Sequence, residues 1–319
     1  MRRTLLRGII LGLISAFVLS ASILEPDSQA CAIEDAASSG DAIWLLCQER
    51  KVMVSTDTET WREYRLPAKS KVRALHFLDE QRGFVTGDAG LLLATSDGGR
   101  HWRAVKTPAT DNLTAIHSVG DLVWVAGWGG TILHSPDAGA TWQLQPTPVT
   151  QGLDGIFFSD AEHGWAVGWV GTILRTSDGG RHWEQVRTDK AMWSLSAVYF
   201  SDARNGWVVG FMGQILHTTD GGETWERIES PSKGWLTSVI FDEANRGWIT
   251  ADDRFLVSDD GGRTWRMVGL NRHSFLSGLF RARGRLWAYG PGAVLRLPEG
   301  RFDVSQIENL APGARRRTS

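Results

Sequence analysis

A phrase that returns about every 40 residues constrains this chain more than any other feature. The boxes "TSDGGRHW" ending at Trp102, "SPDAGATW" at Trp142, "TSDGGRHW" at Trp183, "TTDGGETW" at Trp225 and "SDDGGRTW" at Trp265 are near-copies. A shortened form, "STDTETW", ends at Trp61, and a decayed one, "LPEGRF", ends at Phe302. Successive aromatic ends lie 41, 40, 41, 42, 40 and 37 residues apart, which counts seven units. A second phrase precedes each box, as in "GWAVGWVGTIL" and "GWVVGFMGQIL", and each unit opens on an apolar stretch such as "LDGIFFSD". Four short β-rich runs with turn signals between them, repeated at this period, predict a four-stranded antiparallel blade. Seven such blades predict an all-β chain, a seven-bladed β-propeller.

The units begin near residues 31, 71, 112, 152, 193, 234 and 274, so the expected propeller spans 31–307. Outside it stand residues 1–30 and an arginine-containing tail, 308–319. The start pairs Arg2, Arg3 and Arg7 with an apolar run from Gly8 to Leu24, and Ser28-Gln29-Ala30 reads as a small-x-small cleavage site. That is the pattern of a signal peptide, with an uncleaved N-terminal anchor as the alternative because the run approaches spanning length. The expected location is extracytoplasmic: a periplasm, a thylakoid lumen or a similar space, with membrane association through the N-terminal segment. Cys31 and Cys47 are the only cysteines, and an exported pair favours a disulfide over a metal site. Lipidation of Cys31 is the other reading, but Ser28 stands where a lipobox wants Leu. A formal net charge of -2 argues against a duplex nucleic-acid binder, which needs a basic surface to displace counterions from phosphates.

The box resembles the Asp-box of BNR-type repeats, S/T-x-D-x-G-x-T-W, which sits at hairpin turns in several propeller families. An Asp carboxylate suits a turn because it accepts nearby backbone N–H groups, and Gly supplies a positive φ. Asp97, Asp137, Asp178, Asp220 and Asp260 are therefore assigned a structural role, since one carboxylate spread over separate blades forms no convergent site. Asp-boxes also occur in sialidase-like glycoside hydrolases, which need an arginine cluster and a Tyr nucleophile with a carboxylate partner. Only Tyr64, Tyr199 and Tyr289 are available, and the last two fall in repeated strand slots. No nucleophile elbow, phosphate loop, HExxH or EF-hand loop is present. The expectation is a non-enzyme with no metal or other cofactor.

The fuller phrase "GWAVGWVGTILRTSDGGRHW" is more specific than the box. It resembles the photosystem II stability/assembly factor family, strongly over residues 71–270 and weakly in the flanking blades. The resemblance implies an exported, non-enzymatic seven-bladed propeller, a chaperone for a membrane-protein assembly intermediate. Its partner would be a protein and the chain itself a monomer. The alternatives are an exported Asp-box glycoside hydrolase of the sialidase-like kind, and a structural interaction module of an envelope complex.

The tryptophans show where a partner would sit. Of 16, six end boxes and six occupy second strands. Trp128, Trp169, Trp193 and Trp235 are left over, and Phe211 takes the equivalent turn of blade five. In an antiparallel blade, second-to-third turns and blade connections share the face opposite the boxes. These five rings, rimmed by Lys190, Lys233 and Arg254, have the anchor-and-rim composition of a protein interface. The competing reading has the rings closing the central channel or covering blade junctions. Lys69, Lys71, Arg73, Lys106 and Arg272 also fall on that face, either steering an acidic peptide or an anionic membrane surface, or serving as solubilising charges.

Overall fold

Blade four shows how the repeat becomes structure. Its strands are Leu153–Phe158, Gly164–Gly168, Ile173–Thr176 and Glu184–Gln185. Phe157 pairs with Trp165 and Phe158 with Gly164 across the first hairpin. The second strand is buried throughout because sheet faces on both sides cover it. The computed structural model describes residues 31–252, 254–269, 275–298 and 308–309. Residues 1–30, the decayed box ending at Phe302, Arg272 and the tail beyond 309 lie outside them. Seven four-stranded antiparallel sheets run 33–65, 72–104, 113–145, 153–185, 195–228, 236–269 and 278–309, each ordered as in the sequence. The first strands of neighbouring blades lie against one another around the axis, and the fold is a seven-bladed β-propeller. Its last sheet takes in Glu308–Asn309, paired with Leu295 and Arg296, two residues beyond the expected end of the propeller. Without them the outer edge of the third strand would be left unpaired.

Between blades the core is a repeated aromatic stack. Trp124 of blade three lies flat on Phe158 of blade four, 3.6 Å between centroids, and Trp183 meets that Phe edge-on at 5.8 Å. Trp165, Phe200 and Trp225 repeat the arrangement at the next junction, as do Trp44, Phe77 and Trp102 at the first. The edge-on contact sets the electropositive ring edge against the electronegative face. The buried indole N–H groups are directed too: Trp44, Trp124 and Trp165 donate to Gly98, Gly179 and Gly221 carbonyls in the following blade's box. Gly164 opens the second strand because a Cβ there would lie 2.4 Å from the Phe158 ring.

Among the described residues no blade borrows a strand from another, and side chains and one bridge close the ring. Ala32 pairs with Pro291, Arg283 donates to the Asp41 carbonyl at 2.7 Å, and Ser38 donates to the Arg281 carbonyl. The Tyr289 hydroxyl donates to Asp35 Oδ1 at 2.7 Å. The slot of Asp35 holds Ala74, Ala115, Gly155, Ala197, Ser238 and Gly278 in the other blades. Burial raises the Asp35 carboxyl to about 6, against the bonds it accepts from Tyr289 and the Leu75 and Ala36 N–H groups. A disulfide joins Cys31 to Cys47 beside this closure, with 5.4 Å between Cα atoms.

Candidate partner-binding face

The boxes are saturated with internal bonds. In blade four the Thr176 hydroxyl donates to Asp178 Oδ1 at 2.9 Å and accepts the Gly180 N–H. Asp178 Oδ1 also accepts the His182 N–H, and Oδ2 meets His182 Nδ1 at 2.6 Å. Thr141, Thr224 and Thr264 replace the histidine in blades three, five and six. The His182 backbone N–H is the chief reason that the Asp178 carboxyl falls to about 2. For Asp97, Asp220 and Asp260 burial opposes ionisation, but the box hydrogen bonds outweigh it and hold each at about 2. Carboxylates held this firmly ionised and bonded are poor proton donors or acceptors near neutrality. A cavity of about 620 Å³ opens between blades five and six on the box side, lined by Asp202, Asp242, Glu243, Asp260 and Tyr199 among others. Asp202 and Asp242 there accept backbone N–H groups of their own turns.

Tyr199 lines the inner ring with His76, His117 and Phe157. Burial lowers His76 to about 3 and His117 to about 4, keeping both imidazoles neutral. Among the described residues no group of three His, Cys, Asp or Glu side chains is placed to hold a metal.

On the opposite face three second-to-third turns form short 3₁₀ segments: Trp128–Gly130, Trp169–Gly171 and Phe211–Gly213. The backbone pins the first and third of these from two sides, and the Trp169 N–H of the second donates to Gly152. The Trp128 N–H donates to Asn112 at the lead-in of its own blade, and the Gly130 N–H to Gln151 of the next. Gly130 is required because a Cβ would lie 2.1 Å from the Val149 carbonyl oxygen. Blade two closes the same turn with Asp88, Ala89 and Gly90, through Asp88 N–H to Lys71 and Gly90 N–H to Asp111. The turn therefore has no need of an aromatic ring.

The five rings fall into two groups. Trp128 and Trp169 pack 5.1 Å apart over Gly152, with the Arg73 guanidinium 5.2 Å above the Trp128 ring. Trp169 Nε1 donates to Asp154 Oδ2 at 2.8 Å. Burial raises the Asp154 carboxyl, countered by that indole bond and by Arg73. Phe211 sits edge-on between Trp193 and Trp235, at 6.3 and 6.4 Å, and Trp235 Nε1 donates to Ser196 Oγ at 2.6 Å. Asp154 and Ser196 occupy the bulge that follows the first residue of the innermost strand, so both groups lean toward the channel mouth. Trp169, Trp193, Phe211 and Trp235 are between 39% and 53% exposed, while Trp128 is half-buried beneath Arg73.

The basic residues are dispersed. Lys190 lies 3.3 Å from Asp189, Lys233 is exposed beside Trp235, and Arg254 directs a guanidinium N–H to the Met267 sulfur. Lys71 pairs with Glu34 and Arg73 with Asp88. Sequence reasoning passed over the apolar Val170, Met192, Met212 and Phe275, which are also exposed. Aligning the turns "WGG", "WVG" and "FMG" would have exposed two of them, because Val170 and Met212 stand in the slot of Gly129.

The repeat, its saturated boxes and the bare opposite face define an Asp-box β-propeller. Residues 53–147 and 141–234 match the sequence profile of the photosynthesis system II assembly factor YCF48 family, and the chain belongs to that family. Over 78 residues it is 31% identical to the photosystem II assembly lipoprotein Ycf48 of Nostoc sp. strain PCC 7120, a stretch spanning 24% of this chain and 23% of that relative. Its fold is similar to that of YCF48 bound to a D1 peptide, with a TM-score of 0.69 and 20% identity, covering 84% of this chain and 91% of that one. A streptogramin B lyase is as similar in fold, with a TM-score of 0.72 and 15% identity, covering 84% and 93%.

Proposed function

We propose that this propeller acts as an assembly factor, holding a protein partner against the aromatic crescent of blades three to six without chemistry of its own. The partner is a membrane-protein assembly intermediate, the role that family membership implies, and the binding of a D1 peptide by a related propeller supports a photosystem II subunit. One observation carries the reading: large exposed aromatic rings occupy turns that blade two closes without any. Trp169 and Trp235 are the anchors, oriented by Asp154 and Ser196, with Trp128, Trp193 and Phe211 beside them and Lys190, Lys233 and Arg254 at the rim. Such partly desolvated indoles dominate binding energy where interfaces have been dissected. The disulfide suits an oxidising, extracytoplasmic compartment, and the lipoprotein character of the Nostoc relative fits the same location.

The test is co-purification of membrane partners with the Trp128→Ala, Trp169→Ala, Trp235→Ala triple variant. Capture falls at least about tenfold if the three rings supply a hot spot. Undiminished capture by a stably folded triple variant refutes the surface.

A further inference from the structure

The partner-binding face carries a second set of side chains that the indole anchors do not explain. Val170 is 78% and Phe275 68% exposed, with Met192 and Met212 also open to solvent. Val170 and Met212 hold φ values of 56° and 58°, the left-handed region that β-branched residues avoid. Blade three fills the same position with Gly129. The fold gains nothing from Val170, whose strained backbone presents a bare isopropyl group to water. Strain retained under an exposed apolar side chain points to something outside the chain. The indoles of Trp169 and Trp235 are directed by hydrogen bonds, whereas Val170 and Phe275 have no polar side-chain atom, and Met192 and Met212 only a thioether. They suit a fluid apolar medium better than a shaped pocket.

Topology indicates which medium. Every innermost strand begins on this face, so Cys31 and its link to the apolar run from Gly8 to Leu24 attach here. The link from Leu24 to Cys31 reaches at most about 25 Å when extended. Whenever that run stays in a membrane, the propeller is held close to the bilayer by this face. Lys233 stands exposed beside Trp235, where lipid phosphates would meet it, and tryptophan favours that depth. We propose that Val170, Met192, Met212 and Phe275 dip into the headgroup boundary of a bilayer containing anionic lipid, fixing the propeller's orientation on the membrane. This goes beyond the partner reading and does not depend on it.

The disulfide leaves no free thiol, so one introduced cysteine can be labelled alone. The full chain carrying Val170→Cys, Met212→Cys or, on the box face, Arg181→Cys is labelled with a polarity-sensitive nitrobenzoxadiazole dye. It is then reconstituted with vesicles of phosphatidylcholine and phosphatidylglycerol. Labels at 170 and 212 should shift to the blue, brighten several-fold and be quenched by brominated acyl chains, while the label at 181 stays water-like. Water-like emission at 170 and 212 overturns the proposal. A blue shift that appears only after membrane proteins are added also overturns it, and assigns the tips to the protein partner. Failure of the partner reading leaves a positive lipid result standing, because these vesicles contain no protein partner.

Discussion

On the box face, Asp97, Asp137, Asp178, Asp220 and Asp260 accept nearly the same hydrogen bonds from blade to blade. On the opposite face, the turns of blades two to six open with Asp88, Trp128, Trp169, Phe211 and Asp252, and no residue type persists around the ring. The same hairpins make both faces, so the difference is not one of scaffold. Uniformity marks what every blade needs in order to close; departure from it marks positions where closure is indifferent to the side chain. The crescent of aromatics occupies such positions.

This contrast can be broken by mutation. The largest effect should come from Phe158→Ala, which removes the ring stacked between Trp124 and Trp183 and should lower unfolding free energy by about 3–5 kcal/mol in a denaturant titration. Partner capture per folded molecule should not change. Asp178→Ala, which strips a turn of its acceptor, should lose about 1–3 kcal/mol by the same measurement. The triple tryptophan variant should do the reverse, losing capture while its stability falls by less than the Phe158→Ala variant's. If it unfolds as readily as that variant, the rings are core and the comparison of faces collapses.

Acid should separate the two kinds of carboxylate. Asp97, Asp178, Asp220 and Asp260 are held at about 2, below the ordinary 3.8. Their contribution is therefore present above pH 3.8 and is lost as pH falls toward 2. Asp35 has the opposite sign. Raised to about 6 from 3.8, it favours the fold most when protonated, and that contribution is lost as pH rises through 6. Melting temperatures across this range should show Asp35→Asn flattening the decline between about pH 4 and 6 while leaving the acid limb intact. The smallest effect is expected of Val170→Asn, because Asn tolerates the left-handed conformation. Thermal unfolding should change by no more than about 0.5 kcal/mol, or improve slightly. A clear loss would mean that Val170 is part of the fold after all.

The propeller could be read from the chain because its signals are local and repeated: box, Gly-rich turn and aromatic return at one spacing. The same repetition sorted twelve tryptophans into scaffold and left four to be placed. What stayed hidden depends on contacts between units. Phe77, Phe158, Phe200 and Phe241, the rings between each pair of tryptophans, recur just before an acidic turn but look like ordinary strand residues until blades are packed together. Asp35 was equally obscure, because its partner Tyr289 lies 254 residues away. Val170 and Met212 are a different case: the slot is legible once the turns are aligned on Gly129, but that a side chain there stands exposed on a left-handed backbone is not written in the letters.

Each sheet is drawn from one uninterrupted stretch of chain, and this has a consequence for how the molecule is made. A chain emerging end first, from a ribosome or from a translocation channel, needs only one repeat of about 40 residues to finish a blade, and each new blade can settle on the one before it. Growth of this kind proceeds neighbour by neighbour, because each blade contacts only the blades on either side of it. Tyr289 and Pro291, however, are synthesised long after Asp35 and Ala32 have emerged. Growth from the N-terminus would therefore leave the first blade with one flank uncovered until Tyr289 and Pro291 arrive to close the disc.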